Sequence, residues 1–124
     1  MIDATRAFSG FSVDDIAAAK AFYGDRLGVP ATERGGLLVL HLATGRDVIV
    51  YPKPNHVPAT FTILNFPVDD IDAAVDALAA KGVQFERYEG LHQDGKGVAR
   101  DPRGPQIAWF TDPAGNILSV LQER

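Results

Sequence analysis

Cysteine is absent from the 124 residues, which excludes a disulfide framework, a thiolate zinc site and a cysteine nucleophile. No apolar run approaches the ~20 residues needed to span a bilayer, so a membrane is not an expected partner. Basic residues are too few and too scattered to form a stripe along a phosphate backbone. Lys and Arg number 12 against 16 Asp and Glu, for a formal charge of −4, which argues against nucleic acid. The opening MIDATRAF has neither a basic n-region nor a long apolar h-region and does not read as a secretion signal. The expectation is a mildly acidic cytoplasmic protein.

What is present has ordinary globular proportions. Hydrophobic residues make up 46% and charged residues 23%, a balance that argues against a disordered chain. One phrase is written twice. FSVDDIAAA at Phe11–Ala19 returns as FPVDDIDAA at Phe66–Ala74, 55 residues later, with two letters changed. Each copy follows an apolar stretch with strand character. Each opens a helix with paired aspartates, Asp14-Asp15 and Asp69-Asp70, which suit free N–H groups and the positive end of a helix dipole. Ile16, Ala19, Tyr23 and Leu27 make one helical stripe, and Ile71, Val75 and Leu78 make another. Gly28 and Gly82 stand where each helix should stop.

Behind each helix the chain turns β-rich. Leu38–Leu42 and Asp47–Tyr51 read as a hairpin, VQFERYE as a further strand, and PQIAWFTDPAGNILSVLQ as a second hairpin turning through Asp112-Pro113-Ala114-Gly115-Asn116. The proline-rich PKPNHVP separates the halves. The pattern predicts an α+β fold of two tandem βαβββ modules, about 1–52 and about 59–124, joined by a linker at about 53–58.

A duplicated unit carrying Val13-Asp14-Asp15-Ile16, Phe22-Tyr23 and Leu27-Gly28 early, and Asp112-Pro113-Ala114-Gly115-Asn116 late, resembles the vicinal oxygen chelate superfamily. That group includes glyoxalase I, extradiol dioxygenases, fosfomycin-modifying enzymes and bleomycin-resistance proteins. The resemblance implies an open, barrel-like sheet cup with helices outside, commonly completed across a homodimer. In the enzymes it implies a divalent metal acting as a Lewis acid.

The four metal positions that the resemblance implies fall on Phe8, Val50, Ile63 and Ser119. Three of these have no lone pair to offer, and a serine hydroxyl is a poor ligand for a divalent cation. The immediate neighbours, Ile49 and Tyr51 among them, supply no rescue. His41, His56 and His92 lack the short spacing of a metal clamp. His41 reads as a half-buried strand residue with an ordinary partner, and His56 as a surface residue. No metal and no cofactor is therefore expected.

Phe8, Val50, Ile63 and Ser119 are instead candidates for the wall of a ligand cavity, with Tyr51 nearby. One of Trp109 and Phe110 must face the cup and the other the helix layer, because neighbouring strand residues alternate. The loop GLHQDGKGVARDPRG reads as a solvated connection over one mouth of the cup. It adds His92 and, as a partner for an anionic group, Arg100. No Asp or Glu falls at an expected inward position, so no acid–base pair is legible. The leading expectation is a metal-free small-molecule-binding protein of the resistance-protein type, taking a hydrophobic or aromatic ligand. Its rivals are a glyoxalase- or dioxygenase-like lyase or isomerase with a displaced metal or none, and a module that only dimerises or docks a larger partner.

Overall fold

In a computed structural model, which describes residues 1–123, the first copy of the repeat enters from β1 (Ser9–Val13). Asp15 ends the strand phase. Its carboxylate accepts the Ala18 N–H at 3.1 Å and caps α1 (Ile16–Lys20). The second copy does the same: β5 (Thr62–Pro67) leads to Asp70, which accepts the Ala73 N–H at 3.1 Å and caps α2 (Ile71–Ala80). The second aspartate of each pair is thus the cap.

The helices then diverge. α2 is regular and stops at Gly82 (φ 89°), with the Val83 N–H reaching the Leu78 carbonyl and the Gly82 N–H reaching Ala79. In the first module the α-helix lasts only to Lys20 and continues as a π-helical stretch, Ala21–Arg26. The expected single stripe from Ile16 to Leu27 is therefore interrupted. Consecutive Phe22 and Tyr23 are both buried, with their rings edge-to-face at 5.2 Å. The wider turn lets both aromatic side chains reach the core from adjacent positions.

Three further strands complete the first unit: β2 (Ala31–Arg34), β3 (Leu37–Leu42) and β4 (Arg46–Pro52). The second unit closes with β6 (Gln106–Thr111) and β7 (Ile117–Gln122). The sheet orders are β1-β4-β3-β2 and β5-β7-β6, each with one parallel pair beside antiparallel neighbours. The two units are Met1–Pro58 and Ala59–Arg124. The strand expected at VQFERYE is reduced to one bridge, Phe85 to Phe110, and one hydrogen bond from the Glu86 N–H to the Trp109 carbonyl. The Gln93 side chain supplies what the ladder lacks. It accepts the Tyr88 N–H at 2.8 Å and donates to the carbonyls of Glu86 (2.9 Å) and Gly97 (2.8 Å).

Each sheet has a helix-covered face and an open face. Under the first helix lie Leu38, Leu40, Val48, Val50 and Val13, with Phe11 bringing its ring to 5.8 Å from Tyr23. Under α2 lie Ala108, Phe110, Leu118 and Val120. Among the described residues no helix is long and apolar enough to cross a membrane.

Candidate functional site

Cross-strand register decides which side chains reach the open faces. Phe11 pairs with Val50 and Phe66 with Val120, so the residue corresponding to Ser119 is Ile49. Val50, expected in the cavity wall, is fully buried on the helix side. Ile49 occupies the open face in its place. The expected overlay was out by one residue, and in a strand one residue changes the face. Phe110 also lies on the helix side, edge-to-face with Phe85 at 5.7 Å. Trp109, paired with Ser119, takes the open side.

The open face of the second module is built around Ser119, which is wholly buried and donates its hydroxyl to the Asn65 side-chain carbonyl at 2.5 Å. The register places Ile107, Leu121 and Ile117 on the same face. Tyr88 stands edge-on to Trp109, with ring centroids 5.4 Å apart. Burial pushes the Tyr88 phenol above its ordinary pKa, and the Glu86 carboxylate adds to the effect. The phenol is therefore neutral at physiological pH. Trp109 and Tyr88 line a shallow groove of about 250 Å³ with Phe61, Thr62 and Ile117. Ile63 sits at the register irregularity between Thr62 and Leu64 and is half-buried.

The open face of the first module is different. Gly10 stands where the second module has Asn65, because a Cβ there would lie 2.9 Å from the Ile49 carbonyl oxygen. Ser12 and Tyr51 follow on the same side, and Ser12 Oγ lies 2.6 Å from His56 Nδ1. His41 lies between Asp47 (Nδ1 to Oδ1, 3.1 Å) and Thr32 (Nε2 to Oγ1, 2.8 Å). The order acid, imidazole, hydroxyl is that of a nucleophilic relay. Thr32 is exposed on a sheet surface, however, without the water-excluded setting such chemistry uses. Phe8 lies one residue before β1 and is 72% exposed. It lines a groove of about 920 Å³ together with Arg6, Arg34, Arg46, Asp47 and Ile49.

The expected loop residues go elsewhere. Arg100 bonds to Asp94 at 3.0 Å and Asp72 at 2.8 Å, and also to Gln106. Lys96 pairs with Asp76 at 2.9 Å and Asp72 at 3.5 Å. The loop is thus clasped to α2, on the helix side of the sheet, and Arg100 is neutralised there. Partial burial works to raise the Asp94 carboxyl. The N–H groups of Val98 and Lys96 and the Arg100 guanidinium outweigh it and hold the pKa below the ordinary aspartate value. His92 is exposed in the same loop.

Four functional candidates escaped the sequence reading. Asn65 is the one amide in the apolar run Thr62–Pro67, a signal that strand alternation could have used. Asp47 puts a carboxylate on an open face where none was expected, and register alone reveals it. Tyr88 and Gln93 find their partners through the loop path, which leaves no periodic trace.

The divalent metal implied for enzymes of this fold does not fit these residues. The corresponding positions are Phe8, Ile49, Ile63 and Ser119. Three carry no donor atom, and the fourth commits its hydroxyl to Asn65. Among the described residues no cluster of three or more His, Asp or Glu is placed to hold an ion.

The profile of the Glyoxalase/Bleomycin resistance protein/Dioxygenase superfamily matches residues 7–120. The chain belongs to that superfamily. Its fold is similar to that of the fosfomycin resistance protein FosX from Listeria monocytogenes. The TM-score is 0.74 at 13% identity, covering 100% of this chain and 96% of that one. TnmS3, an antibiotic binding protein from Streptomyces sp. CB03234, superposes with a TM-score of 0.68 at 22% identity, over 99% and 100% of the two chains. A superfamily member from Sphaerobacter thermophilus DSM 20745 gives 0.69 at 20% identity, over 94% and 97%. At these identities the likeness establishes the fold. No curated protein matches the chain by sequence.

Proposed function

We propose that this protein binds a hydrophobic or aromatic small molecule without a metal, in the manner of a sequestering resistance protein. The observation that carries the reading is the open face of the second module. An aromatic pair, Trp109 and Tyr88, flanks apolar Ile107, Ile117 and Leu121, and the Ser119–Asn65 hydrogen bond is the polar element among them. Apolar walls with few polar groups suit binding by burial and stacking. A donor set of two isoleucines, a phenylalanine and a committed serine does not suit Lewis-acid chemistry.

Exposed Phe61, Val57 and Tyr51 support association with a second copy, and the cysteine-free composition suits the cytoplasm. Trp109 is the single tryptophan, so its fluorescence reports this face directly. Aromatic natural products screened by thermal shift should yield a binder that also changes Trp109 emission. At a hundredfold its dissociation constant it should add about 2.7 kcal/mol to stability. Purified protein retaining stoichiometric Zn²⁺, Ni²⁺ or Mn²⁺ in elemental analysis would overturn the reading, as would glyoxalase-type turnover.

A further inference from the structure

We infer that the first module has a site of its own for an amphipathic oxyanion, a carboxylate or phosphate, held by Arg6, Arg34 and Arg46 while Phe8 and Ile49 contact its apolar body. The site is distinct from the face of the second module described above and is argued from its own residues.

The groove of about 920 Å³ is lined by three arginines and one acid, Asp47. That volume lies within the range of small-molecule clefts, roughly 300–1,000 Å³. The three arginines reach it from separate parts of the chain. Arg6 closes the single 3₁₀ turn Ala4–Arg6, Arg34 ends β2, and Arg46 opens β4. Asp47 does not answer them, since its carboxylate oxygen lies 3.1 Å from His41 Nδ1. Among the described residues none of the three arginines lies within ion-pair distance of a carboxylate.

Lys96 and Arg100 are each matched by two aspartates, and Lys20 by Glu33. A molecule with a net charge of −4 thus leaves three guanidinium groups unanswered around one concave surface. Guanidinium presents a planar fork of donors that matches a carboxylate or phosphate in pairs. Exposed Phe8 and half-buried Ile49 on the same groove supply apolar area but no further charge. That combination selects an amphipathic anion over a free inorganic ion or a neutral hydrocarbon.

Two dyes of nearly the same shape test it: 1-anilinonaphthalene-8-sulfonate, which is anionic, and N-phenyl-1-naphthylamine, which is not. The wild-type protein should bind the anionic dye more tightly. Arg6→Ala, Arg34→Ala and Arg46→Ala should each weaken that dye by about tenfold while leaving the neutral dye and the melting temperature unchanged. Benzoate or phenyl phosphate should displace the anionic dye, and the stronger competitor names the oxyanion class. If the anionic dye binds no tighter than the neutral dye, is insensitive to all three substitutions, or is displaced by neither competitor, the assignment is wrong, while Trp109 emission tests the second module separately. If neither dye binds, the assignment is wrong as well.

Discussion

The two modules begin from nearly the same nine residues and end as different surfaces. Both keep a cap on the second aspartate, a parallel pair at one edge and an antiparallel hairpin beside it. The first completes its sheet with a fourth strand, β2, through a full ladder from Ala31 to Arg34. The second replaces that strand with a loop pinned by one glutamine amide and a set of ion pairs to α2. On the open faces, Gly10 and Ile49 correspond to Asn65 and Ser119. One face has become close-packed backbone with a basic rim, the other an aromatic wall around a polar pair. Duplication preserves the contacts that form the sheet and leaves the exposed side free to specialise.

That contrast can be broken from either side. The largest effect should come from the helix-side core of the second module. Phe110→Ala empties a site that is 1% exposed and should cost about 3–5 kcal/mol in urea unfolding. Trp109→Phe, one residue away on the open face, should leave the urea midpoint near wild type while weakening ligand binding. Equal stability losses for the two would show that they do not face opposite layers.

Next, Gln93→Ala should cost about 1–3 kcal/mol, because it strips the Tyr88 N–H and two half-buried carbonyls of their partner. The near-UV signal of the Trp109–Tyr88 pair should fall with it. The first module, which uses a strand ladder here, has no such single point of failure.

Gly10→Ala should cost about 1–2 kcal/mol, since the new Cβ meets a backbone oxygen rather than a flexible side chain. Asn65→Ala, at the corresponding position, creates no such clash. Its loss should stay near the worth of one hydrogen bond, about 1 kcal/mol.

The smallest effect is the acid response of the loop clasp. Asp94 has a folded pKa below its ordinary value. Its contribution is therefore fully present above the unfolded aspartate pKa of about 3.9 and is lost as pH falls through the depressed folded value. Thermal melts should show Asp94→Asn less stable than wild type at pH 7, with the gap closing below about pH 3.9 as the wild-type carboxylate takes up protons. A gap that stays constant across that window would show that the clasp does not depend on this charge. The Arg100 and Asp94 side chains are still 37% and 33% exposed, so solvent screens the pair and the shift in melting temperature should be small.

Much of the frame was legible in the linear chain. The repeat announces itself, and Asp15, Asp70 and the turn at Asp112 act within four residues of their partners. At the one implied position that the register shifted, the residue's chemistry did not change, because neither Ile49 nor Val50 offers a lone pair. What could not be read depends on period and on distance. Val50 against Ile49 and Trp109 against Phe110 are choices between adjacent residues of equal apolar character. Composition does not break that tie, and only cross-strand pairing does.

Arg100 looked available for an anion until α2 brought Asp72 to it across 28 positions of sequence. Arg6, Arg34 and Arg46 were unremarkable in the sequence because their common groove exists only after β2, β4 and the first turn are assembled. Local hydrogen bonding and side-chain chemistry belong to the sequence and fixed the two modules and their caps. Which face each side chain took, and which charges were cancelled or left free, belonged to tertiary packing. Both depend on partners that the chain meets only once it has folded.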